Sequence, residues 1–138
     1  MNAIDASPQL PPAGDFLFVY GTLQRGGEYH RILEDLEAEY IGTGKTVAKY
    51  PLLLARYPCL LDMPGKGHRV EGEVYRLDSP DEWIAVDRLE AHPTEYRRRR
   101  ELVEVDERIR KAWTYFYIRE DASLTSLPAV PRFSVGGD

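Results

Sequence analysis

Cysteine is nearly missing from this 138-residue chain: Cys59 stands alone. That excludes an internal disulfide, a zinc ribbon and a two-cysteine redox pair, and it suits a reducing compartment. Histidine is almost as scarce. His30, His68 and His92 fall at no His-x-x-x-His or mixed Cys/His spacing, so no metal and no cofactor is expected. No apolar run approaches the ~18 to 20 residues that cross a bilayer, and Met1 to Gly14 lacks a basic segment followed by an apolar one. A cytoplasmic protein with no membrane partner is the expectation. Positive charge is in deficit: 18 Lys and Arg face 23 Asp and Glu, for a net charge of −5, and such a surface repels a phosphate backbone, which argues against nucleic acid as a partner. A Gly-x-Ser-x-Gly elbow is also lacking, which removes support for a serine hydrolase. Cys59 follows Pro58 in an apolar run, where burial would keep its thiol protonated and unreactive.

What remains is the composition of one globular domain, 43% hydrophobic and 30% charged, able to bury roughly two-thirds of its unfolded surface. Residues 1–14 hold Pro8, Pro11 and Pro12, and residues 120–138 hold Pro128, Pro131 and a Gly136-Gly137 end; both read as loosely held termini around a body at 15–119. The body opens with Phe16 to Tyr20, a continuous apolar run of the kind buried on both faces of a sheet. A glycine loop follows, then Tyr29, Ile32, Leu33 and Leu36, the stripe of a helix packed on that sheet. Short β-like runs come next at 40–47, 52–54, 59–61 and 70–77. Ser79-Pro80-Asp81-Glu82 predicts a helix start with Ser79 as N-cap and Glu82 completing a capping box, the helix running to about Glu90. Two further strands, 96–105 and 112–118, flank an Asp106-Glu107-Arg108 turn. The fold class is α+β: a single small domain whose mixed sheet curls into a β-barrel core, with two main helices. A monomer or weak dimer is expected.

Three places could hold chemistry. The Tyr20 to Gly27 loop joins a buried strand to a helix, and its successive N–H groups could receive an anion or a developing oxyanion. By glycine pattern alone it reads as a plain tight turn, since it matches neither a phosphate loop nor a dinucleotide fingerprint. Glu90 is the second. At 100° per residue, Val86, Asp87 and Glu90 lie within about 60° of Trp83, so the carboxylate leaves the edge of an apolar face. Burial there and the like charge of Asp87 would both raise its pKa toward neutrality; the same arithmetic fits a residue that merely ends a helix on a surface turn. Third is the run Arg97 to Arg100, which in a strand puts Arg98 and Arg100 on the face of Tyr96. It reads as a solvated face, with one Arg available to hold a substrate carboxylate.

Taken in order, Phe18 to Leu23 with Arg25-Gly26, Tyr50 to Leu52, Val70 to Tyr75, Asp87 to Glu90 with Pro93, and Tyr96 to Arg98 resemble the γ-glutamylcyclotransferase-like family, and within it the γ-glutamylamine cyclotransferase branch. The resemblance spans Phe16 to Ile118. It implies a barrel with a cavity at its mouth, where a γ-glutamyl substrate closes to 5-oxoproline and releases its amine. Glu90 would be the acid/base, and Tyr20, Gly21, Thr22 and Leu23 would bind the glutamyl end. Tyr96, Arg98 and Tyr117 are further candidates for shaping that pocket. A non-catalytic module holding a small ligand in the same cavity is the alternative. Tyr29 stands where the family often has Asn, and Ala91 where it often has Gly. Trp83 and Ile84 are expected to make the approach to Glu90 bulkier.

Overall fold

The computed structural model describes residues 9–134, so Pro8 and the Gly136-Gly137 end lie outside the described residues. Five strands close a barrel in the order β1 (Phe16–Val19), β5 (His68–Arg76), β2 (Glu39–Tyr50), β6 (Tyr96–Val105) and β7 (Arg108–Tyr117). Neighbours are antiparallel except at the closing seam, where β7 runs parallel to β1 through Phe16↔Ala112 and Leu17↔Trp113. A strand hydrogen-bonded on both edges and covered on both faces has no solvent side, which accounts for the unbroken apolar run of β1.

The pleat divides that run. Phe18, followed by Tyr20, packs with Val70, Val74, Val103 and Phe116. Leu17 and Val19 turn the other way, onto Leu33, Leu77, Trp83 and Val86, where the helices lie. Helix α1 (His30–Asp35) buries Leu33, with Tyr29, Ile32 and Leu36 half-buried beside it, as the stripe required. Helix α2 (Pro80–Leu89) starts where its capping signal placed it. Ser79 Oγ accepts from the Glu82 N–H at 3.4 Å, while Glu82 Oε1 reaches one residue further back, to the Asp78 N–H at 2.9 Å.

Two strands differ from their expected limits by three residues or more. β7 begins at Arg108, four residues before Ala112, because the hairpin turns on two residues only. Asp106 and Glu107 both hold positive φ, 52° and 62°, whose twist matches the flanking strands. β2 continues past Val47 to Tyr50 through an irregularity between Lys45 and Lys49. A second sheet of β4 (Pro58–Leu60), β3 (Leu52–Leu54) and β8 (Ala129–Val130) stands beside the barrel. Within the segment read as a tail, β8 pairs with β3 and Leu124 is buried against Leu53 and Cys59. No helix among the described residues is long and apolar enough to cross a membrane.

Candidate active site

A cavity of about 290 Å³ opens between the loop that follows β1 and the C-terminal end of α2. Tyr20, Gly21, Thr22 and Leu23 line one side and Leu89, Glu90 and Ala91 another. The loop is held by its own backbone: the Gln24 N–H donates to the Gly21 carbonyl at 3.1 Å, Gly27 to Gln24 at 2.7 Å, and Tyr29 to Thr22 at 2.9 Å. Among the described residues, the N–H groups of Gly21, Thr22 and Leu23 take no part in these bonds. Two glycines are needed sterically. A Cβ on Gly27 would lie 2.3 Å from the Thr22 oxygen, and one on Gly21 would press on the Pro58 ring at 3.1 Å. Gly21 thus admits the β3–β4 hairpin, whose Tyr57 and Pro58 form a third side of the cavity.

Glu90 is fixed by the way α2 ends. The His92 N–H donates to the Asp87 carbonyl at 2.9 Å and the Ala91 N–H to Arg88 at 3.2 Å, with Ala91 in the left-handed region at φ 50°. This is a Schellman stop with alanine in the place that glycine usually takes. Glu90 is half-buried and its side chain lines the cavity. Burial first, and the neighbouring Asp87 second, raise its pKa from 4.5 to about 7. Asp87 is itself gripped from behind: Arg98 Nε and Nη2 donate to its two oxygens at 2.8 and 3.0 Å, and the Tyr115 hydroxyl donates to Oδ1.

Tyr20, Tyr96 and Tyr115 add hydroxyl-bearing side chains to the lining. Tyr20 donates to the Tyr115 carbonyl at 2.6 Å and Tyr96 to the Pro58 carbonyl at 2.8 Å. Burial raises the pKa of all three hydroxyls, and Glu90 adds to the effect. They are neutral donors held in place, which leaves Glu90 as the lining group with a pKa near neutrality.

Six of the eight residues expected from the sequence meet here: Glu90, Tyr20, Gly21, Thr22, Leu23 and Tyr96. Arg98 and Tyr117 do not line the cavity. Arg98 is spent on Asp87 and on the Gln9 carbonyl, 3.0 Å away. Tyr117 pairs across the hairpin with Tyr96 and packs edge-on against its ring at 5.2 Å. Nor do Trp83 and Ile84 crowd the approach. Trp83 is wholly buried against Trp113, and Ile84 points to solvent; Tyr29 is the bulky departure that reaches the lining. Tyr115, Tyr57, Pro58 and Glu95 escaped the sequence reading. Tyr115 is placed by a register that pairs it with Arg98, and the hairpin is signalled only by the small residue at Gly21.

Residues 17–131 match the family model described as gamma-glutamyl cyclotransferase, AIG2-like. The chain belongs to this cyclotransferase family. A gamma-glutamylaminecyclotransferase of Bos taurus is 41% identical over 102 residues, covering 70% of this chain and 58% of the bovine protein. The Homo sapiens protein of the same name is 47% identical over 68 residues, 45% of this chain and 44% of its own length. The aligned stretches thus span a little over half of one relative and under half of the other. The crystal structure of an AIG2-like protein from Mus musculus superposes with a TM-score of 0.83 at 31% identity, covering 88% of this chain and 89% of that one. This chain therefore shares its overall fold with that AIG2-like protein.

Proposed function

We propose that this protein is a γ-glutamyl cyclotransferase that acts on γ-glutamyl amines or peptides, with Glu90 as its acid/base group. The observation that carries the reading is a carboxyl group with pKa raised to about 7, lining a cavity opposite the Tyr20 to Leu23 loop. The substrate's α-ammonium group is no nucleophile until it loses a proton. Glu90, ionised, accepts that proton; the freed amine attacks the γ-carbonyl carbon and a five-membered ring forms. The carbonyl oxygen becomes an oxyanion, for which the N–H groups of Gly21 to Leu23 are the available donors, worth ~3 kcal/mol each when preorganised. The bond to the leaving nitrogen then breaks as Glu90 returns the proton to it, and the ring nitrogen, left with a positive charge by the attack, sheds its second proton to the departing amine or to water. The products are 5-oxoproline and the free amine, and water is not consumed.

A carboxyl with a pKa near the working pH suits both halves of this cycle, because neither accepting nor donating is strongly uphill. Ring closure is intramolecular, so holding the folded conformer supplies much of the rate. A cytoplasmic location and action without cofactor belong to the same reading. The test is 5-oxoproline release from a panel of γ-glutamyl amines, γ-glutamyl dipeptides and glutathione, run beside Glu90→Gln. Turnover that disappears in the variant while substrate still binds supports the reading. Near-normal turnover in the variant removes Glu90 from its role, and tight binding with no product from any compound points to the non-catalytic module.

A further inference from the structure

The charges that line the cavity are all of one sign. Glu90 and Glu95 are both there, and among the described lining residues there is no lysine, arginine or histidine. Five tyrosines, at 20, 29, 57, 96 and 115, supply most of the remaining polar and aromatic surface. Glu90 is occupied by the chemistry; Glu95 is not. Its backbone is fixed on both sides, the N–H donating to the Ala91 carbonyl at 2.9 Å and the carbonyl accepting from Ile118 at 3.0 Å. Glu95 is half-buried as a residue, and among the described residues its carboxylate has neither an ion pair nor a side-chain hydrogen bond.

The two carboxylates act on different neighbours. Asp87 is the charge felt by Glu90, whereas Glu95 acts on Cys59 and Tyr117, on the side of the β3–β4 hairpin. The cations nearby lie outside the lining: Arg56 packs against the Tyr57 ring at 5.8 Å, and Arg119 neighbours Tyr117. An unpaired carboxylate on a half-buried residue, at an aromatic cavity whose described lining residues include no cation, is matched by a ligand that brings a positive charge of its own.

We propose that Glu95 is the residue that selects the leaving amine, pairing with a second, distal ammonium group on it and disfavouring leaving groups that end in a carboxylate. This rests on the cyclotransferase reading of the cavity and adds to it a charge rule for the part of the substrate that departs. The reaction is unchanged; Glu95 neither gains nor loses a proton in it. Glu90 serves every substrate alike, and Glu95 tells them apart.

Three γ-glutamyl conjugates of equal chain length separate the possibilities: one with 1,4-diaminobutane, ending in an ammonium, one with butylamine, ending in a methyl, and one with 4-aminobutanoate, ending in a carboxylate. For the wild-type protein kcat/KM should fall in that order. In Glu95→Gln the ratio of the first to the second should shrink about tenfold, the size of one charge-assisted contact, and Glu95→Lys should place the anionic conjugate above the cationic one. Reading ratios cancels any general loss of activity in a variant. Equal rates for the cationic and neutral conjugates in the wild type, or ratios unmoved in both variants, overturn the proposal. Binding of the same three compounds to Glu90→Gln, measured by calorimetry, keeps the two claims separate. If neither these conjugates nor the γ-glutamyl dipeptides and glutathione yield 5-oxoproline the cyclotransferase reading fails, yet the order of affinities still decides the role of Glu95.

Discussion

At the scale of single residues the site is an arrangement of unfavourable choices held in place by their neighbours. Glu90 ionises less readily in the folded protein than in the unfolded chain, its pKa being 4.5 without the fold and about 7 with it. The folded state therefore binds the proton more tightly. Stability is full below the unfolded pKa, falls as pH rises through this window, and is lowest above it. Glu90→Gln has no such proton to lose. Its melting temperature should match that of the wild type near pH 4 and exceed it by several degrees at about pH 8, a difference of about 2 kcal/mol after allowing for solvent in the cavity. Thermal scans at the two pH values check this. Asp87 is the second such choice. Asp87→Asn removes the like charge beside Glu90, so the acid limb of the kcat/KM profile should move to lower pH. It also strands Arg98, whose side chain is 3% exposed, at a cost of about 3 kcal/mol in urea unfolding. An unmoved limb in a variant that still folds would show that Asp87 does not set the pKa of Glu90.

Among the elements, α2 was the most legible and its end the least. Ser79, Pro80 and Glu82 announce its start by local chemistry that needs no partner. Its stop depends on Ala91 at φ 50°, a conformation that alanine does not advertise. Replacing it by glycine relieves the left-handed strain, and Ala91→Gly should raise stability by about 1 kcal/mol in denaturant titration, with Glu90 still aimed at the cavity and turnover kept. The strands were legible as apolar runs, and β6 was bounded correctly from Tyr96 to Val105. Position within the site was harder. Arg98 looked like a ligand-binding arginine because a run of four invites that reading, yet its true partner is a carboxylate on α2. No spacing within β6 reports what another element brings against it. Glu95 went unnoticed for the converse reason: a lone acid before a strand has no pattern, and its meaning comes from a cavity lining that holds no cation among the described residues.

For the molecule as a whole, the sequence supported a barrel of α+β type, and the family match and the barrel both follow from motifs spread along nearly the entire body. What composition could not supply was closure. The barrel is completed by two residue pairs between its first and last strands, Phe16↔Ala112 and Leu17↔Trp113, and the cavity takes Tyr20 from one end of that span and Tyr115 from the other. Contacts so distant in sequence form only after the intervening loop entropy has been met. A chain ended at Val105 should show no cooperative unfolding transition by circular dichroism, since β6 would lack its partner and β1 its second edge. The same seam dictates timing during synthesis. While the ribosome still holds β7 in its exit tunnel, the emerging polypeptide has a glutamate and a glycine loop but no closed barrel wall between them. The cavity is therefore complete only when the last piece of the barrel wall is released.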